Sequence, residues 1–142
     1  MTELTLPAAV ENIPEVTRFI DGQLEALDCP MKAQMQIDVA IDELVGNIAH
    51  YAYGAGTGDV TVRFSFDGAA RMATVTLIDS GAPFDPLAKT DPDVSLPAEE
   101  RGVGGLGIFL VKKTMDDLSY RYENGRNILT LRKKSEVLLF SG

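Results

Sequence analysis

Two segments near the start of the chain carry apolar residues at the three- and four-residue spacing of amphipathic helices. The first predicted helix begins at Asn12, a residue type that caps helices, and ends before Asp28-Cys29-Pro30. The second runs from about Met31 to Tyr53 and ends at a glycine-rich segment. We expect the buried stripes of these helices to comprise Val16, Ile20, Leu24, Leu27, Ile37, Ile41, Leu44, Val45, Ile48 and Ala52.

Four later segments alternate between apolar and polar residues, which is typical of half-buried strands. They form two predicted hairpins, 59–66 with 72–78 and 118–122 with 127–131. Asn124-Gly125 lies in the second turn and is the strongest two-residue signal for a hairpin. An apolar helix from Leu106 to Met115 separates the hairpins, and the proline-containing segment before it, about 80–105, has no periodicity. Because a segment of this length inside a compact domain is usually functional, we predict a lid there.

The order of elements indicates the fold class. Two helices, a hairpin, a lid, a third helix and a second hairpin follow one another. Strands adjacent in sequence pair antiparallel, and the helices are too few to cover both faces of a parallel sheet. The sequence therefore predicts an α+β two-layer sandwich, with helices on one face of a mostly antiparallel sheet. We expect a single domain over residues 1–142, with a loose tail at about 133–142.

Composition excludes several classes of protein. No apolar run reaches the roughly 18 residues of a membrane-spanning helix, and the first residues lack the basic and apolar regions of a secretion signal. A single cysteine, Cys29, excludes an internal disulfide, and with only one histidine, His50, a structural zinc site is not expected. We expect a cytoplasmic protein that does not contact membrane.

Charge is distributed unevenly along the chain. The formal net charge is −8, which argues against a general nucleic-acid binder because phosphate backbones require a basic surface. Residues 1–100 carry a net −12, whereas residues 101–142 carry a net +4. The basic third is either an ordinary solvated surface or a face for an anionic ligand.

A glycine cluster lies just before the third predicted helix. Gly102-Val-Gly104-Gly105-Leu-Gly107 satisfies the pattern G-x-G-x-x-G, but it follows a proline-rich loop rather than the strand of a dinucleotide-binding unit. Glycines ahead of an apolar helix leave backbone N–H groups free to bind phosphate at the positive helix end. The alternative is a flexible hinge.

Two further pairs of residues could carry chemistry. Glu43 and Asn47 are four residues apart and share one face of the second helix. A carboxylate there could take a proton from a hydroxyl, and an amide oxygen could bind Mg²⁺. Asp79 ends an apolar strand where it could accept a hydrogen bond from an exocyclic amine, and Gly81 would let a flat ring approach. The alternatives are an exposed helix face for the first pair and a common strand-ending turn for the second.

Taken together, these motifs resemble a known superfamily. Glu43-x-x-x-Asn47, Asp79-x-Gly81 and Gly104-Gly-Leu-Gly107 are similar to the N, G1 and G2 boxes of the GHKL nucleotide-binding proteins, which include gyrase and histidine kinases. The chain most closely resembles the anti-sigma-factor serine/threonine kinases, over nearly its whole length. This resemblance implies the Bergerat fold, with ATP between the helix layer and a lid.

The resemblance also implies roles for individual residues. Asp79 would bind the adenine amino group, Asn47 would bind Mg²⁺, and Glu43 would be the general base. From its charge and its place at the end of the lid, rather than from the resemblance, Arg101 is a candidate catalytic residue that would contact the γ-phosphate or the docked protein. The other residues expected to bind ATP are Gly81, Phe84, Gly102, Gly104, Gly105, Leu106, Gly107 and Thr130.

The function implied is an ATP-dependent serine/threonine-protein kinase that acts as an anti-sigma regulatory factor and phosphorylates a STAS-type antagonist protein. A sigma factor is a second candidate partner, and a homodimer is expected from the same resemblance. The alternative is a non-catalytic ATP-binding module that switches partners without phosphoryl transfer.

Overall fold

In the computed structural model, which describes residues 1–88 and 105–135 (the first two of the latter by backbone alone), the predicted helices and hairpins follow in the predicted order after one further strand. The strands are β1 (Thr2–Pro7), β2 (Asp59–Asp67), β3 (Met72–Asp79), β4 (Asp117–Glu123) and β5 (Arg126–Lys134). The helices are α1 (Ile13–Ala26), α2 (Met31–Asn47) and α3 (Gly105–Thr114). Short helical turns cover Val10–Asn12, Ile48–Ala52 and Pro86–Ala88.

The strands form one antiparallel sheet in the order β1-β2-β3-β5-β4. Both predicted hairpins are present, and β5 from the second pairs with β3 from the first. In that register Asp79 lies beside Asn127 and Leu77 beside Leu129. The predicted α+β class, with helices packed on an antiparallel sheet, is confirmed.

The core lies between the helix layer and one face of the sheet. Val16, Ile20 and Leu24 of α1 are fully buried, as the helical spacing predicts. Alternate residues of the central strands complete the core, since only every second side chain of a strand points to one face. The remaining core residues include Ile37, Ile41, Leu44, Val45, Val60, Val62, Val75, Leu77, Ile108, Val111, Leu129 and Leu131.

Two features differ from the sequence prediction. Strand β1 was not predicted, although Leu4 and Leu6 alternate with exposed polar residues, because a six-residue edge strand gives a weak pattern. The second helix was predicted as continuous to Tyr53, but regular α-helix ends at Asn47 and a π-helical turn continues to Ala52. Both forms are helical and share similar hydrophobic spacing, so the sequence pattern does not separate them.

Within the described part of the chain, none of the helices is both long and apolar enough to cross a membrane. The predicted lid lies mostly outside the described residues, as does the predicted tail beyond residue 135. Of the predicted tail, Lys133 and Lys134 belong to β5 instead.

Two acidic side chains lie next to each other between α1 and α2. Asp38 lies next to Asp21 and near Glu25, and one buried carboxylate oxygen on each aspartate has no hydrogen-bond partner. Burial and then the two neighbouring carboxylates raise the pKa of Asp38 to about 7. An unfolded chain loses this proton near pH 4, so the folded state is destabilised as pH rises from about 4 to 7.

Substituting Asp38→Asn should therefore increase the free energy of unfolding at pH 8, by about 1–2 kcal/mol after allowance for solvent screening. The gain should shrink towards pH 4, where the carboxyl group is protonated in both states. Urea denaturation at pH 4.5, 6 and 8 measures it. Asp42→Asn, an exposed aspartate on the same helix, is the control and should change little. Equal gains at all three pH values would contradict the raised pKa.

Candidate functional site

A pocket lies where the end of α2 and the π-helical turn approach the ends of β3, β4 and β5. The cavity volume is about 30 Å³, and the space between its walls is about 370 Å³ when the open mouth is included. Its walls are mostly apolar, and a few polar groups converge inside. The lining residues are Leu44, Asn47, Ile48, Ala52, Leu77, Asp79, Phe84, Pro86, Tyr120, Asn127 and Leu129.

The polar centre of this pocket is a hydrogen-bonded pair, Asp79 and Asn127. Both side chains are buried, and the Asn127 amide nitrogen donates to Oδ1 of Asp79 at 2.9 Å. The same carboxylate oxygen accepts the backbone N–H of Gly81, also at 2.9 Å. Within the described residues no donor reaches Oδ2 of Asp79. One oxygen therefore holds the local structure, and the other is free for a ligand.

Asn127 also fixes the loop that follows β3. Its amide nitrogen donates to the carbonyl of Ala82 at 2.9 Å, and its Oδ1 accepts the backbone N–H of Phe84 at 3.1 Å. The Tyr120 hydroxyl donates to the same oxygen. Burial raises the pKa of Tyr120 above its ordinary value, which already lies well above neutral pH, so the hydroxyl is a donor. Asn127 thus uses both ends of its amide to connect the sheet to the loop.

Gly81 lies against the π-helical turn at the end of α2. A Cβ atom at this position would be 2.1 Å from the carbonyl oxygen of Ala52, so no other residue fits without movement of the backbone. The neighbouring Ala82 N–H donates to that carbonyl at 2.9 Å. Glycine is therefore required for close packing of the loop on the turn, which is a second reason for it besides access for a flat ring.

Tyr53 supports the loop from the other side. Its hydroxyl accepts the Ser80 N–H at 2.9 Å and donates to the carbonyl of Asp59 at 2.6 Å. Burial raises the pKa of Tyr53 as well. The Tyr53 side chain therefore holds together the end of the π-helical turn, the start of β2 and the residue after β3.

Glu43 lies against the first turn of α3. A Cβ atom on Gly107 would be 2.0 Å from Oε1 of Glu43, so the glycine makes room for this carboxylate. Asn47, one turn further along α2, lines the pocket, and within the described residues its side chain makes no hydrogen bond. Gly105 and Leu106 form the start of α3, where backbone N–H groups lack partners within the helix.

The structure brings together most of the predicted site residues that it describes. Asn47, Asp79 and Phe84 line the pocket, and Gly81 is hydrogen-bonded to Asp79 there. Glu43 and Gly107 contact each other one helical turn away along α2. Thr130 does not line the pocket, because it pairs with Thr76 and Ser119 while its neighbours Leu129 and Leu131 point into the core. Its side chain therefore lies on the opposite face of the sheet. Arg101, Gly102 and Gly104 fall outside the described residues.

Sequence reasoning missed Asn127, Tyr120 and Tyr53. The sequence did contain a signal for Asn127. It occupies one of the alternate positions of β5 that point to the core, as Leu129 and Leu131 do. A polar residue at an apolar position of an alternating strand is expected to have a buried partner. For the two tyrosines no comparable signal exists, since their partners are backbone groups distant in sequence.

Comparison with known proteins gives a consistent relationship. The profile of the family described as histidine kinase-like ATPase domain matches residues 6–133. Two proteins named serine-protein kinase RsbW are similar, one from Bacillus cereus strain AH820 at 25% identity over 131 residues and one from strain B4264 at 27% over 133 residues. In both cases the match covers 89% of this chain and 81% of the relative. The predicted resemblance to the GHKL superfamily and to its serine/threonine kinases is confirmed.

Solved structures show the same fold. The RsbU and RsbW domains of a Mycobacterium tuberculosis protein superpose with a TM-score of 0.62 at 15% identity, over 94% of this chain. A blue-light activated histidine kinase from Erythrobacter litoralis superposes with a TM-score of 0.56 at 18% identity, over 76% of this chain. The chain spans about a third of the length of each, 32% in both cases.

Replacing Asn127 with alanine should lower the free energy of unfolding by about 2–3 kcal/mol, because buried backbone groups at Ala82 and Phe84 lose their partner. Urea denaturation followed by circular dichroism measures it. Thr130→Ala, on the other face of the same strand, should cost about 1 kcal/mol or less. Equal losses in the two variants would mean that the Asn127 hydrogen bonds contribute little.

Proposed function

Because the chain belongs to the histidine kinase-like ATPase domain family, we propose that it is an ATP-dependent protein serine/threonine kinase and an anti-sigma regulatory factor. Its substrate would be a small antagonist protein of the STAS type. The observation that supports this most directly is the position of the two carboxylates. Asp79 lines the pocket, while Glu43 lies one helical turn before the pocket-lining Asn47 and against Gly107 in the first turn of α3. We assign recognition of the base to Asp79 and acceptance of a proton to Glu43.

Asp79 would recognise adenine. Its Oδ1 is held by Gly81 and Asn127, and these two bonds orient Oδ2 to accept the exocyclic amino group. The apolar walls formed by Leu77, Leu129 and other residues would bury the ring. Phe84 lines the same pocket and would contact it.

The phosphates would lie between α2 and the start of α3. Backbone N–H groups at Gly105, Leu106 and Gly107 stand at the positive end of that helix and suit an anionic ligand. Gly102 and Gly104 would extend this cradle, and Arg101 would contact the γ-phosphate or the substrate protein. Lysines in the last turn of α3 add to the basic character of this part of the chain.

Asn47 is the proposed ligand of Mg²⁺. Its side chain is half-buried at the pocket and, among the described residues, has no hydrogen-bond partner. An amide oxygen suits this hard cation, which usually keeps several water molecules and takes its other ligands from the substrate phosphates. The ion would neutralise charge on the phosphates when bound. In the described part of the chain no group of three or more His, Cys, Asp or Glu side chains could hold a metal ion.

Glu43 is the proposed general base. Its carboxylate would accept the proton of the substrate serine or threonine hydroxyl while the hydroxyl oxygen bonds to the γ-phosphorus and ADP leaves. Phosphoryl transfer depends on positioning and on neutralisation of charge more than on covalent chemistry by the protein. A base, a Mg²⁺ ligand and a row of N–H groups therefore suffice for the reaction.

Several features of the cellular role belong to the same proposal. We place the protein in the cytoplasm, with a sigma factor as a second partner and a homodimer as the functional unit. The relatives named serine-protein kinase RsbW support a kinase over a non-catalytic module that only binds ATP. The presence of Glu43 beside α3 also favours catalysis, since simple binding of nucleotide does not require a base there.

The substitution Glu43→Gln tests the proposal. It keeps the size of the side chain but removes the base, so transfer of labelled γ-phosphate to a STAS-type protein should fall at least 100-fold while ATP affinity stays within about threefold. Glu11→Gln, a remote exposed glutamate, is the matched control. Transfer by Glu43→Gln at the wild-type rate would contradict the role of the base. Absence of transfer by the wild-type chain to any STAS-type protein of the same genome would contradict the kinase.

A further inference from the structure

An apolar groove lies between α2 and α3, outside the pocket described above. Met31, Met35 and Val39 follow one another along α2 at four-residue spacing, and Leu110 faces them from α3. Their exposed fractions are 70%, 58%, 52% and 43%, respectively. These apolar side chains are exposed on helices whose other apolar residues are mostly buried, so the cluster is a candidate interaction surface. The space in the groove is about 1000 Å³, its open side included.

The groove leads directly to the proposed catalytic base. Glu43 is one helical turn beyond Val39, which corresponds to about 6 Å along the axis of α2. Opposite it, Gly107 touches Glu43, and Leu110 and Thr114 continue along α3 towards the far end of the groove. A protein bound in the groove would therefore extend to the place where the hydroxyl must meet the γ-phosphate.

The charge around the groove indicates what kind of partner fits. Lys32 is the one charged side chain among the described residues that line it. The first turn of α2 contains no acidic residue to offset the positive end of its dipole. Lys32 and this helix end both favour an acidic group on the partner. The rest of the lining is apolar, apart from Gln36 and Thr114 at its edges.

We propose that this groove docks the phosphoacceptor protein of the kinase proposed above. The partner would present an amphipathic helix with apolar side chains one turn apart, because Met31 to Val39 spans about 12 Å, or two helical turns. An acidic residue of the partner would lie near Lys32, and its serine or threonine would lie towards Glu43. The flexible methionine side chains adapt to more than one partner surface, which suits a protein that exchanges partners.

This inference rests on the proposed function, and its test separates the two. Met35→Glu and Leu110→Glu place a charge in the groove without disturbing the core. Val10→Glu, at a valine that is 49% exposed elsewhere, is the matched control. With a STAS-type protein that the wild-type chain phosphorylates, we expect both groove variants to raise KM for that protein at least tenfold. Their ATP affinity and thermal unfolding midpoints should match those of the control.

Titration calorimetry with the same STAS-type proteins in the presence of ADP gives an independent measure of docking. If the wild-type chain binds one of these proteins without phosphorylating it, the kinase proposal fails. In that case a tenfold or greater loss of affinity in the two groove variants still supports docking in the groove. Unchanged KM and affinity in both variants would overturn the docking site. So would sedimentation showing that Met35→Glu converts a dimer to a monomer, since the groove would then bind a second copy. A wild-type chain that neither binds nor phosphorylates any of these proteins would overturn both proposals.

Discussion

The amide of Asn127 is the interaction on which the candidate site depends. It joins the carboxylate of Asp79 to the backbone of the loop after β3, and the Tyr120 hydroxyl completes the arrangement. A buried carboxylate without such partners would be costly, because its desolvation is compensated only by hydrogen bonds or opposite charge. The network uses one oxygen of Asp79 and leaves the other available, so the same bonds that stabilise the loop also orient the pocket.

A second constraint links this pocket to the helix layer. Gly81 packs against the π-helical turn that follows α2. Gly107 of α3 packs against Glu43, which belongs to α2. Both contacts need the absence of a side chain, so close packing explains both glycines. Helix α2 therefore sets the spacing between Asp79 and Glu43, the residues proposed to recognise adenine and to accept the proton. The exposed groove continues along the same helix, so the proposals assign to one element a part of the core, of the nucleotide site and of the docking surface.

Much of this could be predicted from sequence, for identifiable reasons. The helices and hairpins follow from periodicity, and the sheet class follows from their order, because strands such as 59–67 and 72–79 are adjacent and joined by a short turn. The pairing of β5 with β3 could not be read from local patterns, since it depends on contacts about fifty residues apart. The partners of Asn127 were missed for that reason, although its place among the buried positions of β5 indicated that it is buried. The same alternation assigns Thr130 to the opposite face, which the family pattern did not take into account. Glu43 and Asp79 were identified because their spacing matched a family pattern.

The most direct test of the account is calorimetric titration with ATP and Mg²⁺ of the wild-type chain and of Asp79→Asn. This substitution preserves the shape of the side chain and its acceptor oxygen, but it can present an N–H group in place of Oδ2. We predict Mg²⁺-dependent binding by the wild-type chain and at least a tenfold loss of affinity in the variant, with an unchanged circular dichroism spectrum. Absence of ATP binding by the wild-type chain, or equal affinity in the two proteins, would contradict the assignment of this pocket to the nucleotide.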